Sequence, residues 1–250
     1  MSNARRALLR LARAAALLLF AAPASADTMG LRWPQPDGPG SPVIITYSFS
    51  NLLDGAFGFV SPAELRAATE EALRLWASVA PLHFIEWPDW GPPPSDADYD
   101  AAGYAMIRIG HHPMTEAAHA FFPGARGLDG DIHLDTGIPW TLGVLGRWDV
   151  LEAITHELGH ALGLGHIDHE PAIMGTLFRV PRYNGLGTAY LLPADIAALR
   201  ALYGAGVGSV LPLDPVDPIP EPATLAMLAG GLAALYRRRR RRRRAHGLPT

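Results

Sequence analysis

Apolar and polar positions along the chain predict short strands and amphipathic helices between residues 43 and 204. Period-two patterns or short apolar runs predict strands at 43–49, 82–87, 104–110, 118–123 and 130–135. Helical patterns predict helices within 61–80, 148–162 and 192–204. In a chain of 250 residues, these elements are enough for one ordinary domain flanked by processing segments.

Two of the helices carry clear boundary signals. Ser61 is expected to be the N-cap of the first helix, Pro62 takes its first position, and Glu64 can close a capping box with Ser61. The last helix is expected to end at Gly204, because glycine favours the backbone turn at a helix C-terminus.

Both ends of the chain differ from this middle part. Residues 1–26 predict a secretory signal peptide, with arginines, a short apolar core and an Ala-Ser-Ala cleavage site. Residues 27–42 predict an extended lead-in, and residues 205–222 a Pro-rich linker. Residues 223–250 begin with 14 mostly apolar positions, followed by eight arginines. A helix of that length spans roughly 21 Å, short of the ~30 Å bilayer core. The flanking linker and arginines still favour a short transmembrane helix with an arginine-rich cytoplasmic tail.

Charge and cysteine content narrow the function. The net charge is −3, but 12 of the 21 arginines lie in the two terminal segments and all 24 acidic residues lie between them. The middle part therefore carries a net charge of about −15, which argues against nucleic-acid binding. The chain has no cysteine, so any metal must be bound by histidine, carboxylate or carbonyl ligands.

The stretch ITHELGHALGLGH, residues 154–166, predicts a catalytic zinc site. On a helix, His156 and His160 project from one face one turn apart, which allows both imidazoles to bind one ion. Gly163 permits the turn that ends the helix, so that His166 can return as third ligand. Three protein ligands leave a fourth position open, which is the catalytic arrangement. Glu157, beside the first ligand, is placed to hold a water.

This motif, followed by Met174 in AIMG, resembles the metzincin zinc proteases and their Met-turn. Within that group the chain is most similar to the matrixins, the matrix metalloproteinase group, over about residues 43–204. The segments that carry the likeness are YAMIRIG, AHAFFPG, GDIHLD, Trp140 and ALRALYG. The resemblance implies an α+β fold, with a twisted five-stranded sheet and three helices, and places Met174 beneath the zinc.

Two features depart from the matrixin pattern. Animal matrixins carry a propeptide cysteine that blocks the zinc, so any latency of this cysteine-free chain must work otherwise. The Met-turn reads MGT, without the family's proline two residues on. A Pro-x-Tyr wall segment of the specificity pocket is instead expected at Pro181, Arg182 and Tyr183.

The resemblance also implies further metal sites. His119, His133 and His112 (or His111) match ligands of a structural zinc, and Glu116 is a candidate for the aspartate that has no clean counterpart. Asp131 and Asp135 match calcium carboxylates, with the carbonyl oxygens of Gly127 and Asp129 nearby. The alternatives are hydrogen-bonded histidines and an ordinary Asp/Gly turn.

The C-terminal segment resembles the bacterial PEP-CTERM sorting signal, with Pro220-Glu221-Pro222, a short apolar helix and an arginine cluster. The resemblance implies an exported protein, transiently anchored in the inner membrane. A sorting protease of the exosortase type would then cleave it and pass it to the cell surface or extracellular matrix.

The sequence thus predicts an exported zinc endopeptidase acting on proteins or peptides. Glu157 would be the general base that takes a proton from the attacking water. The peptide substrate is expected to pair with the edge strand near 118–122. The alternatives are a non-catalytic matrix or binding protein with structural zinc, and a membrane-tethered interaction module.

Overall fold

The structure, a computed structural model, describes residues 31–176 and 183–213. In chain order its elements are β1 (Val43–Phe49), α1 (Pro62–Ala77), β2 (Leu82–Glu86), β3 (Ile107–His112), β4 (Ala118–Ala120), β5 (Ile132–Asp135), α2 (Val150–Ala161), α3 (Pro193–Tyr203) and β6 (Ser209–Leu211). The predicted signal peptide and transmembrane helix lie outside the described residues. Within the described ranges, no helix is long and apolar enough to cross a membrane.

One mixed sheet has the strand order β4-β5-β3-β1-β2-β6. All neighbouring strands are parallel except β4 and β5, which are antiparallel. The α+β class and the three helices are confirmed. The sheet has six strands rather than five because β6, in the segment predicted as linker, pairs with β2.

The alternation in β1 has a direct structural cause. Val43, Ile45 and Tyr47 are buried in the core, whereas Ile44 between them is 62% exposed, because successive side chains of a strand point to opposite faces. Helices α1 and α2 pack together, and the buried indole of Trp76 donates a hydrogen bond to the carbonyl of Thr155 at 2.9 Å. This contact fixes the position of α2, the helix that carries the zinc motif.

The predicted capping box of α1 is present. The Ser61 amide donates to Glu64 Oε2 at 2.8 Å, and the Glu64 amide donates to Ser61 Oγ at 3.3 Å. The lead-in is also part of the core, since Trp33 is buried and its indole donates to the carbonyl of Ala161 at 3.0 Å.

Candidate metal centres

Helix α2 presents the first two motif histidines from inside the domain. It begins after Asp149, whose carboxylate accepts from the Glu152 amide at 2.9 Å as an N-cap. His156 is buried and His160 half-buried, so both imidazoles face the protein rather than bulk solvent. This burial places them within reach of backbone carbonyls that can orient them.

The helix ends as the sequence predicts, at a glycine with positive φ. Gly163 has φ +98°, its amide donates to the His160 carbonyl at 2.8 Å, and the Leu164 amide donates to the Gly159 carbonyl at 2.9 Å. This is the Schellman arrangement. A Cβ at Gly163 would lie 2.0 Å from the carbonyl oxygen of Leu31, so the position has no room for a side chain.

The turn brings His166 back to His156 and His160. Each of the three offers one ring nitrogen, and these nitrogens lie within 4.8 Å of one another. Nδ1 of His156 is 2.8 Å from the Ile173 carbonyl oxygen, and Nδ1 of His160 is 2.7 Å from that of Leu164. Because a carbonyl only accepts, both Nδ1 atoms carry the proton and Nε2 is the metal-binding atom.

Two further observations favour a metal at this site. Nε2 of His160 lies 3.2 Å from Nε2 of His166, close to the ~3.3 Å between neighbouring ligands of a tetrahedral zinc with Zn–N bonds of about 2.05 Å. Burial lowers the pKa of His160 to about 4. Its imidazole is therefore neutral at neutral pH, the form that binds a metal.

Glu157 has the environment of a catalytic carboxylate. Its side chain is only 5% exposed, and its Oε2 has no hydrogen-bond partner among the described residues. Burial, with a smaller contribution from the negative charge of Glu116, raises the pKa of Glu157 to about 8. An unsatisfied buried carboxylate is costly unless a ligand or cation completes its surroundings. The residues present therefore fit a zinc ion with a proton-transferring carboxylate beside it.

Met174, the predicted Met-turn methionine, packs against Gly159 of the motif helix. It is fully buried, and a Cβ on Gly159 would lie 2.1 Å from its Sδ, so only glycine at position 159 allows this close packing. Sequence reasoning missed the residue that holds this turn in place. The buried carboxylate of Asp195 accepts from the amides of Ile173 (2.9 Å), Met174 (3.0 Å) and Leu192 (2.9 Å).

Strand β4 lies at one edge of the sheet, next to this centre. It pairs only with β5 among the described strands, and its three residues are half-buried. Just after it, the ring of Phe122 meets that of His160 edge-on, with 5.6 Å between centroids. An extended peptide on the free edge of β4 would therefore pass beside the histidines.

The described residues contain one further group of this kind, the second cluster, formed by Asp96, His112, His119 and His133. Nδ1 of His133 lies 3.2 Å from Nε2 of His112 and 3.2 Å from Nε2 of His119. Burial, then repulsion from His119 and His112, lowers the pKa of His133 to about 4. The three histidines predicted for a structural zinc are thus brought together.

Two alternatives for this cluster are placed elsewhere. His111 is not part of it: its Nε2 lies 3.1 Å from Asp54 Oδ1, on another side of β3. Glu116 is not in the place of the missing aspartate either, because its Oε1 lies 2.8 Å from Nδ1 of His119, the nitrogen opposite the cluster. The carboxylate that faces the cluster belongs to Asp96, which the sequence did not indicate.

The two predicted calcium carboxylates have protein partners. Asp131 accepts from the Tyr99 hydroxyl at 2.8 Å and the Arg108 amide at 3.1 Å, and the Arg108 guanidinium lies 4.0 Å away. Burial raises the pKa of Asp131 to about 7 and outweighs these contacts, which lower it. Asp135 accepts from the Met114 amide at 2.9 Å. Neither belongs to a group of three or more potential metal ligands in the described ranges, so calcium stays a prediction.

Of the expected wall segment, only Tyr183 lies within the described residues. It is buried, and its hydroxyl donates to the carbonyl of Tyr190 at 2.7 Å.

Comparisons with known proteins show which family this chain resembles. A family model described as matrixin matches residues 41–204, and one described as the PEP-CTERM protein-sorting motif matches residues 218–242. The chain is 31% identical to human matrix metalloproteinase-20 over 170 residues, which are 66% of this chain and 33% of that protein. It is 32% identical to human matrix metalloproteinase-16 over 188 residues (71% and 28%) and 31% identical to human neutrophil collagenase over 192 residues (73% and 38%).

The match thus covers about a third of the length of these relatives. The match to the matrixin family model, over residues 41–204, includes the whole zinc motif, Met174 and the sheet edge that carries the second cluster. The chain therefore belongs to the matrixin family.

Proposed function

We propose that the protein is a zinc-dependent endopeptidase that hydrolyses peptide bonds in proteins. The observation that carries this proposal is the convergence of His156, His160 and His166 beside a buried Glu157, whose Oε2 has no hydrogen-bond partner in the described part of the chain. A structural zinc site is closed by a fourth protein ligand and needs no base. The partially exposed third histidine, by contrast, leaves this centre open to solvent and substrate.

The residues divide the chemistry between them. A zinc ion held by the three imidazoles would polarise the scissile carbonyl and lower the pKa of water. Glu157 takes the proton of the attacking water on its carboxylate and delivers it to the departing amine. The backbone carbonyls of Ile173 and Leu164 keep the two helix histidines in the tautomer that ligates.

The substrate would bind as an extended peptide along β4. Ala118–Ala120 offers one edge to which no other described strand is paired, and Phe122 leads from that edge to His160. Backbone pairing of this kind gives affinity without demanding one side-chain sequence. This arrangement favours a protein or peptide substrate over a small molecule.

Zinc-loaded full-length protein should cleave a generic unfolded protein, and chelation should abolish cleavage until zinc is restored. Glu157→Ala should retain zinc and lose hydrolysis. Glu170→Gln, which removes an exposed carboxylate, serves as the matched control and should remain active. Hydrolysis by clean Glu157→Ala protein would contradict the mechanism. No cleavage by wild type at full zinc occupancy would favour the alternative, a non-catalytic metal-binding matrix protein.

We also propose that the chain is exported and sorted to the cell surface or extracellular matrix. The match of residues 218–242 to a protein-sorting motif supports this. The apolar stretch at 223–236 would anchor it in the inner membrane until an exosortase-type protease cleaves near Pro220-Glu221-Pro222. The mass of the cell-bound protein tests this, because an uncleaved C-terminus would indicate a permanently tethered module instead.

A second, structural zinc is proposed at the cluster of His112, His119 and His133. Two nitrogen–nitrogen distances of 3.2 Å, a buried central histidine and its low pKa support it. The expected stoichiometry is two zinc ions per chain, measured by elemental analysis after gel filtration.

A further inference from the structure

We propose that Asp96 is the fourth ligand of the second zinc, and that this ion latches the β2–β3 loop, residues 87–106, to the substrate-binding edge of the sheet. The inference rests on the second zinc proposed above. In addition to that ion, one ligand would come from a loop distant in sequence, and the metal would hold this loop against the sheet.

The distances within the second cluster match a tetrahedral ion. Asp96 Oδ1 lies 3.1 Å from Nε2 of His119, 3.3 Å from Nε2 of His112 and 3.5 Å from Nδ1 of His133. With the two nitrogen–nitrogen distances of 3.2 Å, five of the six edges of a tetrahedron are defined. Zinc with bonds of about 2.05 Å requires edges of ~3.3 Å. Four ligands close the coordination, as a structural site requires.

The outer partners of these histidines support the same assignment. Nδ1 of His119 faces Glu116 Oε1 at 2.8 Å, and Nδ1 of His112 faces the Pro113 carbonyl at 3.1 Å. Acceptors in these positions keep the proton on Nδ1 and direct the Nε2 lone pairs inward. Glu116 is therefore a positioning residue for His119, and Asp96 is the carboxylate left to ligate.

The four ligands join parts of the chain that are far apart in sequence. The histidines come from three adjacent strands, β3, β4 and β5, and His119 and His133 are directly paired across β4 and β5. Asp96 comes from the β2–β3 loop, where its side chain is 60% exposed. An exposed ion pair alone adds little stability, so the contacts between Asp96 and the imidazoles would hold the loop only weakly without a metal.

The loop also contacts the rest of the domain on both sides of Asp96, where the Pro92 carbonyl accepts from the Arg108 guanidinium at 2.8 Å and the Asp98 carboxylate from the Leu128 amide at 3.4 Å. On one side Asp89 forms two hydrogen bonds with Arg108, at 2.8 and 3.0 Å. On the other, Tyr99 donates to Asp131 at 2.8 Å. The metal would fix the stretch between these contacts, and at the same time brace β4, the strand proposed to bind substrate.

Zinc binding to full-length protein tests the ligand. Every sample carries Glu157→Ala to prevent self-digestion, and a chromophoric chelator competes for the ions. The parent should bind two zinc ions. Asp96→Ala should lower the affinity for one zinc ion by about tenfold or more and leave the affinity for the other unchanged. Asp100→Ala is the matched control, since Asp100 is an exposed carboxylate of the same loop whose one hydrogen bond within the described ranges is with the nearby Ala102 amide.

Hydrogen exchange followed by mass spectrometry tests the latch in the same samples. Removal of the second zinc from the parent should speed exchange in residues 95–98 and in β4. Asp96→Ala should already show fast exchange in 95–98 with zinc present, while Asp100→Ala should match the parent. Two zinc ions of unchanged affinity in Asp96→Ala would overturn the latch and leave the second zinc standing. A single zinc in the parent would overturn both, but not the catalytic site.

Discussion

The carboxylate of Asp195 should stabilise the fold and the catalytic zinc site together. It is fully buried and receives three backbone amides, one at Oδ1 and two at Oδ2. Two of the donors, Ile173 and Met174, form the turn beneath the motif helix, and the carbonyl of Ile173 orients His156. Asp195→Asn keeps the shape of the side chain but replaces one acceptor by a donor.

The expected loss of stability in Asp195→Asn follows from the number of hydrogen bonds that this side chain accepts. The amide of asparagine is best placed with its oxygen at the Oδ2 position, which retains two bonds and turns its NH2 group toward the Met174 amide. One buried amide then loses its partner, at about 1–3 kcal/mol, and two charge-assisted bonds become neutral ones. The expected loss is about 2–4 kcal/mol, a large share of the ~5–15 kcal/mol that stabilises a typical domain.

Urea unfolding of full-length protein, followed by tryptophan fluorescence, measures this loss. The Glu157→Ala background again prevents self-digestion. Competition with a chelator should also show about tenfold weaker zinc binding at the catalytic site, because the carbonyl that orients His156 loses its support.

Asp149→Asn is the matched control for this prediction. Asp149 is also a buried aspartate that accepts two backbone amides, from Glu152 and Gly143. It lies two turns, or about 10 Å, before His156 on α2, and asparagine is an equally good N-cap. We expect a smaller stability loss and unchanged zinc affinity. If Asp195→Asn unfolds within about 0.5 kcal/mol of the parent, the reasoning from its three bonds is refuted.

Three further results are expected. Arg108→Gln should cost about 3–5 kcal/mol in the same unfolding assay, since it leaves the buried carboxylates of Asp89 and Asp131 without a cation. Arg126→Gln, which removes an exposed guanidinium, should cost much less. With a pKa of about 8, the Glu157 carboxyl is mostly protonated at pH 7 until a bound cation lowers that pKa. Zinc binding at pH 7 should therefore release up to one more proton from wild type than from Glu157→Gln. Calorimetry in buffers of different ionisation enthalpy measures this difference in proton release. Gly163→Ala should lose ~2 kcal/mol or more because its Cβ meets a backbone carbonyl, whereas Gly146→Ala, with φ +74° and open space around it, should lose about 1 kcal/mol; equal losses would contradict the contact.

Local signals in the sequence were enough for most elements of the fold. Strand β1 matches its predicted bounds of 43–49 because its alternation depends only on neighbouring residues. The capping box of α1 is local for the same reason. Strand β6 was missed because three residues after Gly208 carry no period of their own; their strand conformation comes from pairing with β2.

Local signals in the sequence were likewise sufficient for the first metal centre but not for all of the second. His156, Glu157, His160 and His166 span 11 positions, and a helix followed by one glycine turn is sufficient to bring them together. Asp195 is far in sequence from the Ile173 and Met174 amides, and Asp96 is far from the three histidines that it faces. Their roles depend on how the sheet and loops pack, which no local spacing encodes.

The surroundings of Asp131, one of the two carboxylates predicted to bind calcium, also depend on residues distant in sequence. The sequence motif does not specify what faces this side chain. The structure places Arg108 there, with Asp89 on its other side and the rings of Tyr99 and Tyr104 over the guanidinium. This buried guanidinium supplies positive charge to both buried carboxylates. Arg108 lies on β3, only four residues before His112 of the second cluster. The charge of Arg108 can therefore hold the part of the β2–β3 loop around Asp89, while the proposed metal would hold the part around Asp96.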